Sequence, residues 1–113
     1  MCTQNEARLI IDDLTASIVR LFPHDRPDVI LFGSYARNEA NDESDIDVLY
    51  LVDASRQQIA EKNWQVGEAA ADVLLKYGMM ISPIVENRAF FHDNSRVLPF
   101  FQNVRREGVR LDA

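Results

Sequence analysis

The chain has 113 residues, a hydrophobic content of 47% and a formal net charge of −6. This length can bury one core but leaves no room for a second substrate domain, so we expect one domain over residues 1–113. The acidic balance, with a pI near 4.8, argues against broad nucleic-acid affinity, because phosphate contacts need an excess of cations. Cys2 is the only cysteine, which excludes an intrachain disulfide and favours a reducing, cytoplasmic location.

The amino-terminal segment predicts a helix followed by a strand. Apolar residues recur at helical spacing from Glu6 to Phe22, and Pro23 ends the element. This helix carries charges throughout its length and has no continuous apolar stretch, so we predict neither a signal peptide nor a membrane span. Pro27 precedes the first strand, the apolar run 29–32.

The first strand stops at a Gly-Ser pair that can bind an anion. Gly33 lets the backbone approach an anion with no Cβ in the way, and the Ser34 hydroxyl can donate to a phosphate oxygen. A helix that begins there would point unpaired N–H groups at the same anion. The junction therefore predicts a triphosphate cradle. The alternative is an ordinary strand-to-helix turn with Ser34 as the N-cap.

Two aspartates open the second predicted strand. Because side chains alternate along a strand, Asp45 and Asp47 project to one face, with Cα atoms about 6–7 Å apart. Carboxylates at this spacing can converge on one or two divalent cations and leave positions open for water and phosphates. The alternative is a solvated strand edge. We favour a metal-dependent phosphate site, because the Gly-Ser turn and the aspartates occur together in one chain.

The order Gly33-Ser34, ten residues, then Asp45 and Asp47 in a hydrophobic strand is a family signature. The sequence resembles the minimal nucleotidyltransferases of the DNA polymerase beta-like superfamily. The resemblance implies an α/β (α+β) nucleotidyltransferase fold, with a small mixed sheet flanked by helices. It also implies Mg²⁺- or Mn²⁺-dependent transfer of an NMP from an NTP, with ATP as the expected substrate, to an acceptor hydroxyl. Pyrophosphate is the implied leaving group.

By this resemblance, the two aspartates are the catalytic metal ligands and the Gly-Ser pair holds the outer phosphates. Arg37 could reach a phosphate, or it could be a surface arginine paired with Glu39 or Asp42. Asn38 stands where many relatives carry glycine. Asparagine tolerates left-handed backbone, so we expect the turn to persist.

The family also carries a third carboxylate on a later strand, beside the first two. The apolar run 79–86 is the predicted strand, and Ser82 falls at the acid position. A hydroxyl is neutral at pH 7 and is neither a useful general base nor a strong metal ligand. Glu86 lies on the same face but about 13 Å further along. Pro83 suits an edge strand or a bulge, which could move Glu86, so the third-acid position stays open between Ser82 and Glu86.

A long amphipathic helix is predicted between the second and third strands. Ser55 and Gln58 have the spacing of a capping box at its start, and Gly78 ends it. Trp64 departs from the apolar stripe of this helix. We expect it to pack against the neighbouring helix, and a contact with a partner is the alternative.

The carboxy-terminal segment predicts a short helix over 88–91, a longer one over 99–107 and a brief edge strand over 109–111. Four phenylalanines should mostly cover the open face of the sheet, with some left for a partner: Phe90, Phe91, Phe100 and Phe101. Three arginines form a local basic tail, which we interpret as helix-end cations rather than an RNA patch: Arg105, Arg106 and Arg110.

Three functions remain open from the sequence. The chain is an active transferase with a two-carboxylate site, or a catalytically weakened nucleotide-binding or antitoxin-like domain, or a protein-interaction module with incidental surface acids. The resemblance implies a helical HEPN-type partner, as in toxin–antitoxin pairs, and homodimerisation is also open. The sequence does not indicate the acceptor or the base of the nucleotide.

Overall fold

The computed structural model describes residues 3–112, so Cys2 lies outside the described residues. In chain order the elements are α1 (Gln4–Leu21), β1 (Asp28–Phe32), α2 (Gly33–Ala36), β2 (Ile46–Val52), α3 (Arg56–Glu61), α4 (Asn63–Tyr77), β3 (Ile81–Asn87), α5 (Arg88–Asn94), α6 (Pro99–Glu107) and β4 (Val109–Arg110). None of the helices in this part of the chain is long and apolar enough to cross a membrane.

Within residues 3–112, four strands form a mixed sheet in the order β3-β2-β1-β4. Strand β1 is antiparallel to β2 and to β4, whereas β2 and β3 are parallel. The predicted mixed sheet flanked by helices is therefore confirmed, and so is the carboxy-terminal edge strand. The register pairs β2 with β3 without a break, from Ile46 opposite Ile81 to Val52 opposite Asn87, so β3 contains no bulge. Pro83 lies in β3, which is an edge strand of the sheet.

The sheet is covered on both faces by helices. Alternate residues of β2, among them Val48 and Tyr50, pack into the larger core with apolar residues of α1 and α4. The residues between them point to the other face, where Leu49 packs with Phe91 of α5 and Phe101 of α6. The prediction that phenylalanines cover the open face is confirmed for this pair. Because Asp47 alternates with Val48, it belongs to the α5–α6 face.

Helix α1 begins with a capping box in which the Thr3 side chain accepts from the Glu6 N–H, and the Glu6 side chain accepts from the Thr3 N–H. The second predicted capping box, at Ser55 and Gln58, is also present. The helix that it starts is not continuous, however. It breaks at Lys62, whose N–H bonds to the carbonyl of Ile59, three residues back rather than four, at 3.0 Å.

Helix α4 runs from this break to Gly78, which adopts the predicted left-handed cap with φ of 69°. The prediction that Trp64 packs against a neighbouring helix is wrong, because the side chain is 76% exposed. Its position explains this, since Val66 and Val73 of α4 are buried. Trp64 precedes Val66 by two residues, which places it about 200° around the helix from the buried face.

Candidate active site

Gly33 lies directly against the side chain of Asp47. Phe32, the last residue of β1, is opposite Asp47 in the antiparallel register, so the turn after β1 meets the second aspartate. A Cβ on Gly33 would lie 3.2 Å from Cγ and 3.3 Å from Cβ of Asp47, and closer still to a carboxylate oxygen. The φ of Gly33 is +74°, a left-handed value. Both the close approach and the backbone conformation therefore require glycine.

Ser34 lies in the first turn of α2 and is not the N-cap residue of this helix. The N-cap of α2 is Phe32, with no hydrogen bond from a side chain to the cap. The alternative that Ser34 is the N-cap is therefore wrong, and its half-buried hydroxyl is not committed to capping. The turn closes at Asn38, whose φ of 59° confirms the expected left-handed conformation.

Asp47 projects from the α5–α6 face at the start of β2, and Asp45 directly precedes this strand. Asp45 is exposed and Asp47 is half-buried. Burial raises the pKa of Asp47, and the nearby charge of Asp45 raises it further, while Arg37 opposes the shift. A divalent cation would relieve the repulsion between the two carboxylates, and carboxylate oxygens are the ligands that Mg²⁺ and Mn²⁺ prefer. The donor set therefore fits a hard divalent cation.

Ser82 is the neighbour of Asp47 on the adjacent parallel strand. Glu86 is four residues further along β3, opposite Leu51, and its carboxylate forms an ion pair with Arg56 at 3.3 Å. The chain thus brings Ser82, and not Glu86, beside the aspartates. In residues 3–112, no group of three or more His, Cys, Asp or Glu side chains is placed to hold a metal ion.

Arg37 forms hydrogen-bonded ion pairs with two carboxylates at the edge of the site. Its Nε donates to Glu39 at 3.1 Å, as one of the sequence alternatives expected, and its Nη1 donates to Glu107 of α6 at 3.2 Å. These bonds raise the pKa of the Arg37 guanidinium. The side chain is partly exposed and lies close enough to Asp47 to act on its charge.

A cleft of about 170 Å³ separates the Gly33 turn from α6. Sequence reasoning missed the contribution of α6, which lines this cleft with Phe100, Asn103 and Glu107. The rings of Phe32 and Phe100 meet edge to face, with centroids 5.3 Å apart. The available signal was the adjacent pair Phe100 and Phe101, since two neighbouring residues of a helix cannot both point into one core.

A family model of the nucleotidyltransferase domain matches residues 11–95, a range that contains the Gly-Ser turn and both aspartates. The chain belongs to the nucleotidyltransferase domain family. It is a minimal nucleotidyltransferase domain, and membership of this family makes it a transferase enzyme that acts on an NTP. The fold class and the family expected from the sequence are therefore confirmed.

Three relatives from Methanocaldococcus jannaschii each carry the name "Putative protein adenylyltransferase". One is 38% identical to this nucleotidyltransferase over 80 residues, which cover 71% of this chain and 72% of the relative. A second is 44% identical over 57 residues, covering 50% of this chain and 56% of the relative. The third is 30% identical over 76 residues, covering 67% of this chain and 52% of the relative. The chain thus matches only about half the length of the second and third relatives, and no solved structure matches it.

Proposed function

We propose that this nucleotidyltransferase transfers the adenylyl group of ATP, in the presence of Mg²⁺ or Mn²⁺, to a hydroxyl of an acceptor protein. The observation that carries the proposal is the packing of Gly33 against Asp47, because it joins a phosphate-binding turn to a metal-binding carboxylate. The names of the relatives support adenylyl as the group and a protein as the acceptor.

Each site residue has a distinct role in this reaction. The backbone of Gly33 and the hydroxyl of Ser34 hold the outer phosphates, while Asp45 and Asp47 would hold the metal. A metal held there would supply positive charge against the triphosphate and polarise the α-phosphoryl group. Arg37, already at the edge of the cleft, contributes a further positive charge to the phosphates.

The bond changes follow from this arrangement. The acceptor oxygen attacks the α-phosphorus in line, the bond from that phosphorus to the bridging α–β oxygen breaks, and pyrophosphate leaves. The proton of the acceptor hydroxyl passes to water, because the neighbour of Asp47 on β3 is the neutral Ser82. This site therefore relies on positioning and charge stabilisation more than on general-base catalysis.

A second candidate is favoured by the same serine. Because Ser82 cannot accept the proton or complete a carboxylate metal shell, the domain could retain Mg²⁺–ATP binding while its chemistry is slow. It would then serve as an antitoxin-like domain that binds a helical HEPN-type partner. The two candidates share the nucleotide site and differ in how fast the α-phosphoryl group is transferred.

Incubation with labelled ATP distinguishes the two candidates, because it shows whether the label becomes bound to protein. The protein is incubated with Mg²⁺ and ATP labelled on the α- or the γ-phosphate, together with a protein extract of the source organism. Transfer predicts that only the α-label becomes protein-bound, with release of pyrophosphate, and that Asp47→Asn abolishes both. Glu86→Gln is the matched carboxylate control and should leave transfer unchanged, since Glu86 pairs with Arg56. Saturable binding of Mg²⁺–ATP without transfer supports the second candidate, and no saturable binding refutes both.

A further inference from the structure

Another hollow, separate from the cleft at Gly33, lies between α6 and the loop that precedes it. It is shallow and open to solvent, and it is lined by Ser95, Arg96, Gln102, Arg105 and Arg106. We call it the arginine hollow. The sequence analysis grouped Arg105 and Arg106 with Arg110 as a basic tail. In the structure Arg110 lies in β4, and the arginine that lies beside Arg105 and Arg106 is Arg96.

Hydrogen bonds hold the arginine hollow in shape. Nη1 of Arg105 donates to Oγ of Ser95 at 3.1 Å, and the Ser95 hydroxyl donates to the carbonyl of His92 at 3.1 Å. Ser95 is buried, with 3% of its surface exposed. On the other side, the Gln102 amide donates to the carbonyl of Arg96 and ties the loop to α6. The guanidinium of Arg105 is therefore positioned before any ligand arrives.

The positive charge of the hollow is not neutralised by the described part of this acidic chain. Within residues 3–112, neither Arg96 nor Arg105 has a carboxylate within 4.0 Å, and Arg106 has only Glu107, at 3.9 Å. Arg110, by contrast, pairs with carboxylates at 3.0 and 2.8 Å. An anion in the hollow would gain guanidinium contacts that do not first have to be broken from internal ion pairs.

We propose that the arginine hollow binds an acidic segment of the acceptor protein. Its three guanidinium groups offer few of the phosphate contacts on which nucleic-acid affinity depends, and the chain as a whole carries a net charge of −6. Apolar side chains follow Arg96 directly, with Val97 71% exposed and Leu98 38% exposed. Arginine next to exposed apolar side chains is typical of the centre of a protein–protein interface.

The position of the hollow links it to the proposed transfer site. Nη2 of Arg106 donates to Oδ1 of Asn103 at 2.8 Å, and Asn103 lines the cleft at Gly33. A segment in the hollow thus lies across one helix, about 10 Å wide, from the cleft. A hydroxyl a few residues away in the same acceptor can reach the phosphates. This inference rests on the proposed function, because it presumes a protein acceptor.

The test measures the fluorescence anisotropy of a fluorescein-labelled deca-glutamate peptide titrated with the full chain at low salt. Saturable binding that weakens as salt rises is expected. The double variant Arg96→Gln/Arg105→Gln should bind about tenfold more weakly, which corresponds to about 1.4 kcal/mol. Arg96→Gln alone leaves the bond from Arg105 to Ser95 intact and should weaken binding about threefold. Arg8→Gln, at an exposed position of α1, is the matched control and should bind as the wild type does.

Three results would overturn the inference: no binding of the peptide, equal binding by the wild type and by a folded Arg96→Gln variant, or tighter binding of a labelled deca-uridylate. The last result would identify the hollow as a nucleic-acid surface. Thermal stabilisation by Mg²⁺–ATP, measured in parallel, should be the same in the arginine variants and the wild type. If Mg²⁺–ATP does not stabilise the wild type, the proposed function is refuted, whatever the result with the peptide.

Discussion

Replacing Gly33 with alanine adds one methyl group at the point where the phosphate turn meets Asp47. The left-handed φ of +74° is expected to cost about 1–2 kcal/mol once a Cβ is present. The new Cβ would also lie against the Asp47 carboxylate and force that side chain from its rotamer, at a cost of about 1 kcal/mol. Together these contributions predict a fall in melting temperature of about 8–12 °C for a chain of this size.

Alanine substitutions at two other glycines distinguish backbone strain from displacement of the Asp47 side chain. Gly78 has a similar φ of +69°, but a Cβ added there would meet nothing within 4 Å, so Gly78→Ala carries the backbone strain alone. Gly67 is exposed in the interior of α4 and has open space around it, so Gly67→Ala should stabilise the protein by about 0.5–1 kcal/mol. The order of melting temperatures should therefore be Gly67→Ala above the wild type, then Gly78→Ala, then Gly33→Ala.

The assay is thermal unfolding with and without saturating Mg²⁺–ATP. A ligand at a hundred times its dissociation constant stabilises the native state by about 2.7 kcal/mol, which raises the melting temperature by about 10 °C here. Gly78→Ala should retain this increase, although it starts from a lower temperature. Gly33→Ala should lose it, because Asp47 has moved. If Gly33→Ala is stabilised by Mg²⁺–ATP as much as Gly78→Ala, the Gly33–Asp47 contact is not the nucleotide site.

Other substitutions test the electrostatics of the fold and site. The raised pKa of Asp47 means that the native state holds the proton more tightly than the unfolded state, so stability without metal falls as pH rises from 3.8 through the native pKa. In urea titrations, Asp47→Asn should remove this fall and should raise the free energy of unfolding at pH 7 by about 0.5 kcal/mol. Ser82→Asp restores a third carboxylate, so metal binding measured by calorimetry should tighten about tenfold while the metal-free protein loses stability. Arg88→Ala should cost about 2–3 kcal/mol in urea unfolding, because Arg88 donates to Asp28 and to the carbonyls of Arg26 and Leu51.

Each of these results has a contrary outcome. Equal pH dependence in the wild type and Asp47→Asn would show that this carboxylate does not titrate as its surroundings predict. Unchanged metal affinity in Ser82→Asp would mean that position 82 does not face the aspartates. For Arg88→Ala, the matched control is Arg8→Gln, at an exposed position that should change stability by less than about 0.5 kcal/mol. A similar loss in both variants would contradict the structural role of Arg88.

The site could be predicted where it depends on local sequence. The spacing from Gly33 to the aspartates fits a short connection between antiparallel strands, which local backbone geometry largely determines. The family pattern of hydrophobic, acidic and hydrophobic residues put Ser82 at the acid position, and the strand register places it beside Asp47.

The rest depends on long-range packing. One alternative from the sequence paired Arg37 with Glu39 or Asp42, and the pair with Glu39 forms. A second partner, Glu107, is 70 residues away and reaches Arg37 only through the docking of α6. The helix break at Lys62 is likewise marked by no glycine or proline in the sequence. Arg96 joins the arginine hollow because the loop before α6 folds back on that helix. Such contacts carry no local pattern that one sequence can reveal.

The central claim is that the Gly33 turn and the two aspartates form one nucleotide and metal site. Broadening of assigned backbone amide NMR signals by Mn²⁺, in the presence of a non-hydrolysable ATP analogue, tests this claim most directly. We predict that substoichiometric Mn²⁺ first broadens the amide signals of Gly33, Ser34, Asp45 and Asp47, and that Asp47→Asn prevents this. Selective broadening at other carboxylates, such as Asp25 and Asp53 at the opposite end of β2, would contradict it.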